Sequence, residues 1–356
     1  MVRWAWRFVP PDTFADDEVE SCETHTMQLI DDLLAGNRRA LARTITLVEN
    51  DGAESHSALA TLYRRTGQAH IIGITGAPGT GKSTLVNALA KAYRQRGYTV
   101  GIVAVDPTSP FTGGALLGDR VRMRDLSGDP GIFIRSMATR GSLGGLAQAT
   151  ADVITVLDSA GFQRLIVETV GVGQAEVDIA STAHTTVVVE APGMGDEVQA
   201  IKAGVLEIAD ILAVNKADRE GADKTMTALQ MWLGMGPKMV QHHGRTMQVD
   251  LPQQEPEDWT PPIIKTVALR DQGVPELLDA IEQHRNYLQR SGEFQRREEE
   301  RARINMVHIL QAAVLRRLNS QVPAEHFQRL VAEVAAREQD PYSAADQLLP
   351  AVLSTN

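Results

Sequence analysis

The sequence predicts an α/β fold, a doubly wound and mostly parallel sheet with helical extensions at both ends. Three observations carry this. Short Val/Ile-rich runs alternate with helical stretches from His70 onward; a glycine-rich turn follows the first of those runs; and residues 25–66 and the chain after Gly273 read as helix. Alternating strands and helices imply right-handed crossovers and a parallel sheet, whose ligands bind at the carboxyl ends of the strands.

In chain order, residues 1–22 show no clear period and read as an arm or frayed end. In "MQLIDDLLAGNRRALARTITLVEN" Leu29, Leu33, Leu41 and Ile45 recur at helical spacing, with a break at Gly36-Asn37. The strand runs are "HIIGIT", "TVGIVAVD", "GIFIRSM", "RLIVETV", "TTVVVEA", "DILAVNKAD" and "PIIKTVAL", apolar on both faces as buried parallel strands are. Residues 241–261 are polar and proline-bearing and read as a loop. The stretch after Gly273 reads as one long helix, or two joined near Gly292. The expected divisions are an arm and helical extension over 1–66, the sheet domain over 67–285, and a helical extension over 286–356 suited to dimerisation.

Composition narrows the class. The chain has 356 residues, 43% hydrophobic and 22% charged, with a formal net charge of −10. An acidic balance argues against nucleic acid. The single cysteine, Cys22, makes neither an internal disulfide nor a cysteine metal site. No apolar run is long enough to span a membrane, and the N-terminus turns acidic at Asp16, unlike a secretory or transit peptide. A cytoplasmic location is expected.

Gly76-Ala77-Pro78-Gly79-Thr80-Gly81-Lys82-Ser83, followed by Thr84, fits G-x-x-x-x-G-K-[ST] between a strand and a helix. Such a turn aims backbone N–H groups at a phosphate chain. Lys82 would reach the β- and γ-phosphates, Ser83 would give its hydroxyl to Mg²⁺, and the helix adds its positive end. "NKAD" at Asn215–Asp218 selects the base. The Asp218 carboxylate can accept from guanine N1–H and the exocyclic amine together, a donor pair that adenine lacks; capping the next helix is its alternative role. Asn215 would touch the base and tie to the glycine turn, Lys216 would lie along the base face, and the backbone of Thr266, Val267 and Ala268 would meet the guanine edge. Gly171 could offer its N–H to the γ-phosphate. Asp106, Asp119 and Glu168 could each serve Mg²⁺ or orient water, although Asp106 could instead cap the turn before Pro107 and Asp119 could pair with Arg120 or Arg122.

Beyond these motifs, "AVDPTSPFTGGALLGDRVRM", "IRSMATRGSLGGLA", "VETVGVGQAEVDIA" and "GDEVQAIKAGVLEIADILAVNKAD" resemble the methylmalonyl-CoA mutase-associated GTPases of the MeaB/ArgK type. The likeness runs from about residue 25 to 300. It implies a SIMIBI-class P-loop GTPase, usually a homodimer through its C-terminal helices. It also implies a G-protein chaperone for adenosylcobalamin-dependent acyl-CoA mutases, in which adenosylcobalamin belongs to the mutase. Such a protein gates cofactor delivery and protects the mutase, and the mutase speeds its hydrolysis of GTP to GDP. By the same resemblance, Asp106, Asp119 and Glu168 match positions tied to Mg²⁺ and switching. About Pro192–Gly204 matches a third switch carrying Gln199 and Lys202. The segment Leu229–Pro261 is unlike the family, and "TVALRDQG" replaces a Ser-Ala string. No obvious glutamine or arginine finger lies inside the core motifs, so slow turnover alone and acceleration by a partner are expected. Rival readings are a nickel or cobalt metallochaperone, which would want a Cys pair or His-rich tail, a transport-associated kinase using ATP, and a module that binds nucleotide without hydrolysing it.

Overall fold

The structure, a computed structural model, describes residues 16–106, 124–126, 128–138, 145–169, 175–193, 204–235, 240–242, 245–247 and 259–353. Three helices open it: α1 (Asp16–Leu34), α2 (Arg38–Glu49) and α3 (Ala53–Tyr63). Asn37 caps α2, its side chain accepting from the N–H groups of Arg39 and Ala40, which explains the break at Gly36-Asn37. The arm expected over residues 1–22 needs correction, because α1 already begins at Asp16. The acidic start that argued against a leader is also a favourable first helical turn.

The described strands of the main sheet are β1 (His70–Thr75), β2 (Val100–Asp106), β3 (Ile132–Ala138), β4 (Arg164–Thr169), β5 (Thr185–Glu190) and β6 (Ile211–Val214), with Ile263–Lys265 at one edge. They lie in the order β3-β2-β4-β1-β5-β6-(263–265), every neighbour parallel. The seven apolar runs are these seven strands. β1 sits at the centre between β4 and β5, so the turn after it opens among the carboxyl ends of its neighbours.

The helices are α4 (Lys82–Gln95), α5 (Gly145–Ser159), α6 (Ala175–Thr182), α7 (Ala222–Met235), α8 (Val274–Ser291), α9 (Glu293–Gln321), α10 (Ala324–Ala335) and α11 (Pro341–Leu353). Successive strand residues point to opposite faces, and three apolar clusters result, a smaller one around Val188, Leu212 and Val214 beside two larger ones. Ile72, Ile74, Ile102 and Ile166 pack under Leu85, Leu89, Leu277 and Ile281 of α4 and α8. Ile71, Val103, Leu165 and Val167 pack under Ile45, Leu62, Val153 and Leu157 of α2, α3 and α5. The N-terminal helices thus cover one face of the sheet. Each wholly buried Leu or Ile contributes roughly 1.5–3 kcal/mol, so both layers hold the sheet firmly.

Gly292, at φ 80°, separates α8 from α9, so the long C-terminal stretch is two helices. The reading of 241–261 as a loop is corrected at its start: β7 (Val240–His242) and β8 (Arg245–Met247) form a small antiparallel ladder. Strands of three polar-mixed residues leave too little alternation to detect. No described helix is long and apolar enough to cross a membrane.

Candidate functional site

The glycine turn leaves β1 and enters α4 at Lys82. Two positions demand glycine. Gly76 has φ 134°, and a Cβ there would lie 2.1 Å from the Val189 carbonyl oxygen of β5. Gly81 has φ 93°, and a Cβ would lie 2.6 Å from Asn215 Nδ2. The loop backbone therefore turns against β5 on one side and the "NKAD" segment on the other. Lys82 Nζ, buried, donates to the carbonyls of Gly76 (2.7 Å) and Ala77 (3.0 Å), which holds its ammonium inside the turn. Thr80 Oγ1 donates to the Ala77 carbonyl at 2.9 Å. Pro78 and Gly79 are exposed at the rim, and Thr84 lies half-buried in the first turn of α4.

Ser83 Oγ donates to Glu168 Oε1 at 2.7 Å, joining the helix start to the end of β4. The β1–β4 register makes this possible by placing Ile74 beside Glu168. One residue on, Thr169 Oγ1 donates to Thr75 Oγ1 at 2.9 Å, a cross-strand tie with no signal in the sequence. A buried hydroxyl beside a carboxylate is a hard oxygen donor set of the kind Mg²⁺ takes. Asp106 ends β2, the strand adjoining β4, but its side chain is outside the described residues. Asp119, Gly171, Gln199 and Lys202 also lie outside them.

Asn215 is the knot of the base end. Its Nδ2 donates to the Thr80 carbonyl at 2.9 Å; its Oδ1 accepts from Thr266 Oγ1 and from the Ala268 N–H, each at 3.2 Å. One buried carboxamide thus fixes the glycine turn against the segment Thr266–Ala268, across a sheet edge. Lys216, in the left-handed region at φ 56°, sends Nζ to the Gly79 carbonyl at 2.6 Å. The Ala217 N–H donates to the Thr266 carbonyl at 3.0 Å, and Val267 N–H to the Gln272 carbonyl at 2.9 Å. Asp218 does not begin a helix, since α7 starts at Ala222. Its carboxylate faces outward, 3.6 Å from Arg270 Nη2, a partner the sequence reading missed.

Perturbed titrating groups cluster elsewhere, at the amino ends of the same strands. Burial lowers the His70 imidazole pKa well below its ordinary value, with His184 adding to the effect, and burial also lowers His184. Burial takes His284 down to about 4 against the opposite pull of Asp210. Thr185 Oγ1 bridges His70 Nε2 and His284 Nδ1, both at 2.8 Å. His184 Nδ1 accepts the Ile71 N–H at 3.0 Å, which leaves its proton on Nε2, directed at Glu298. Arg297 grips Asp210 bidentately, both contacts at 2.8 Å. These contacts fasten α8 and α9 to the sheet.

A glycine turn on a central parallel strand, a lysine inside it, and an Asn-Lys-x-Asp segment tied to it define a P-loop GTPase. Residues 41–323 match the family model for "Methylmalonyl Co-A mutase-associated GTPase MeaB", and the chain belongs to that family. It is 48% identical over 326 residues to a putative GTPase of Pyrococcus abyssi, covering 92% of this chain and 96% of that one. It is 30% identical over 337 residues to the mouse "Methylmalonic aciduria type A homolog, mitochondrial", covering 90% and 78%. A crystal structure of an LAO/AO transport system kinase shares the fold, with TM-score 0.65, 24% identity, and 93% and 99% of the two chains covered.

Proposed function

We propose that this chain is a GTP-hydrolysing chaperone for an adenosylcobalamin-dependent acyl-CoA mutase, gating cofactor delivery and protecting the mutase from inactivation. The Asn215 knot carries the guanine half of the reading. It locks the phosphate turn to the strand end that presents Asp218, so the triphosphate and base ends are built as one unit. The match of residues 41–323 to a family described by its mutase partner supports the other half.

In this reading Lys82 would neutralise the β,γ-oxygens, and Ser83 with Glu168, joined by Asp106 and Asp119, would hold Mg²⁺. When bound, Mg²⁺ draws charge from the phosphate oxygens. Gly171 donates its N–H to the γ-phosphate, Asp106 positions the attacking water, Thr266–Ala268 meets the guanine edge, and Gln199 and Lys202 report nucleotide state to the mutase. Phosphoryl transfer depends mainly on position and positive charge, so a mutase that supplies a further cation or loop order would speed a slow basal turnover. The C-terminal helices expose Met306, Leu310, Val314, Phe327 and Val331, which supports pairing of two copies. Adenine offers no donor pair to Asp218, so the ATP-kinase reading gains nothing from this geometry.

Multiple-turnover GTP hydrolysis, measured alone and with candidate mutases, tests the proposal. At least about a tenfold rise is expected with the cognate mutase, well inside the roughly 10³–10⁵ available from a supplied cation. Equal rates with every mutase would overturn it.

A further inference from the structure

Arg270 stands where a purine would meet Asp218. It ends the short turn Ala268–Arg270, and its Nη2 lies 3.6 Å from Asp218 Oδ2. Both side chains reach solvent, 64% and 36% exposed. The backbone beneath them is fixed. The Arg270 N–H donates to the Val267 carbonyl at 2.9 Å, Val267 N–H to the Gln272 carbonyl at 2.9 Å, and Ala268 N–H to Asn215 Oδ1 at 3.2 Å. Asp271 then turns the chain through the left-handed region at φ 55°. The side chain of Arg270 can swing, but its Cα cannot leave the base mouth without undoing the Asn215 knot.

The edge that guanine shows a carboxylate is N1–H, C2 and the exocyclic amine. Those atoms are a guanidine. Arginine carries the same planar fork with a full positive charge. We propose that Arg270 is a built-in placeholder for the guanine edge: in the empty protein it pairs with Asp218, and a guanine nucleotide enters by displacing it. This inference rests on the base assignment made above. At 3.6 Å the contact is an ion pair outside hydrogen-bond range, so displacement is cheap, but it opposes every guanine nucleotide equally. GTP and GDP are both held less tightly and released sooner, with no change in the preference between them. Nucleotides without the donor edge do not compete for Asp218 and are unaffected.

The test is calorimetric titration of GDP, xanthosine diphosphate and ADP into the full chain and its Arg270→Ala, Asp218→Asn and doubly substituted forms, with melting curves as the folding control. Arg270 is exposed, so its loss leaves the fold intact. Loss of a solvent-exposed pair predicts GDP binding about two- to fivefold tighter in Arg270→Ala, ADP binding unchanged, and no effect of Arg270→Ala in the Asp218→Asn background. Unchanged or weaker GDP binding in Arg270→Ala overturns the placeholder. So does a tightening that persists without the Asp218 carboxylate, or one that ADP shares. The base assignment fails separately, when Asp218→Asn leaves the choice between GDP and xanthosine diphosphate unaltered.

Discussion

The two ends of one sheet hold polar groups in opposite ways. At the carboxyl ends, Lys82, Ser83 and Glu168 converge on a turn whose backbone is bent open, and Asp218 looks outward. At the amino ends, His70, His184 and Asp210 are buried against α8 and α9, where His284 of α8 is buried and Arg297 of α9 half-buried. The lowered histidines are all at the sealed end. A displaced pKa therefore marks burial here and not chemistry: the sealed network is a fastening, and the ligand end is recognised by backbone shape. The contacts that this network does make, Arg297 to Asp210 and Thr185 to His70 and His284, anchor the helical extension to the sheet.

Substitutions at the two ends should separate cleanly. Lys82→Ala at the open end should weaken GTP binding by about a hundredfold or more, because a buried charged contact to phosphate is removed, while the urea midpoint stays near that of the parent. Calorimetry and urea titration on the same sample check both halves; equal affinity would remove the turn from the site. Arg297→Ala at the sealed end should do the reverse. Stripping Asp210 of its bidentate partner should lower stability by about 3 kcal/mol, seen as a shifted urea midpoint, with GTP affinity kept in the folded fraction.

A third prediction concerns pH. His284 has its folded pKa lowered to about 4 from 6.5, so the unfolded chain takes up protons first as pH falls. Stability should drop through the window from about 6.5 toward 4, by on the order of 3 kcal/mol for this group alone. His70 and His184 push in the same direction. Urea titrations across that window should show the slope, and His284→Gln should flatten it. Another buried group has the opposite sign. Burial raises the Asp152 carboxyl to about 7, against a hydrogen bond from Gln148, so its contribution is lost as pH rises from about 4 to 7. Asp152→Asn should add on the order of 4 kcal/mol at pH 8 and nothing below pH 4; a gain that is constant with pH would place the cause elsewhere.

Much of this frame was legible in the residues themselves. Strands buried on both faces leave unbroken apolar runs such as "RLIVET" and "TTVVVE", and the Gly36-Asn37 and Gly292 breaks carry their own chain-reversal chemistry. The ladder at Val240–Met247 was not legible, since three-residue strands show no period. The helix start at Asp16 was not legible because residues 1–22 show no clear apolar period. Motif spacing gave Lys82, Ser83 and Asn215, while Thr75–Thr169, Asp210–Arg297 and Asp218–Arg270 join residues 94, 87 and 52 apart in sequence. Only the sheet order creates those pairs.

The most direct test of the central claim, a guanine-reading carboxylate coupled to a phosphate turn, is a titration of Asp218→Asn with GTP, xanthosine triphosphate and ATP. Loss of charge-assisted contacts should weaken GTP roughly 10- to 100-fold, and the new amide donor should favour xanthosine triphosphate, whose 2-carbonyl accepts where guanine donates. An Asp218→Asn protein that still ranks GTP first by the parent's margin would contradict the account.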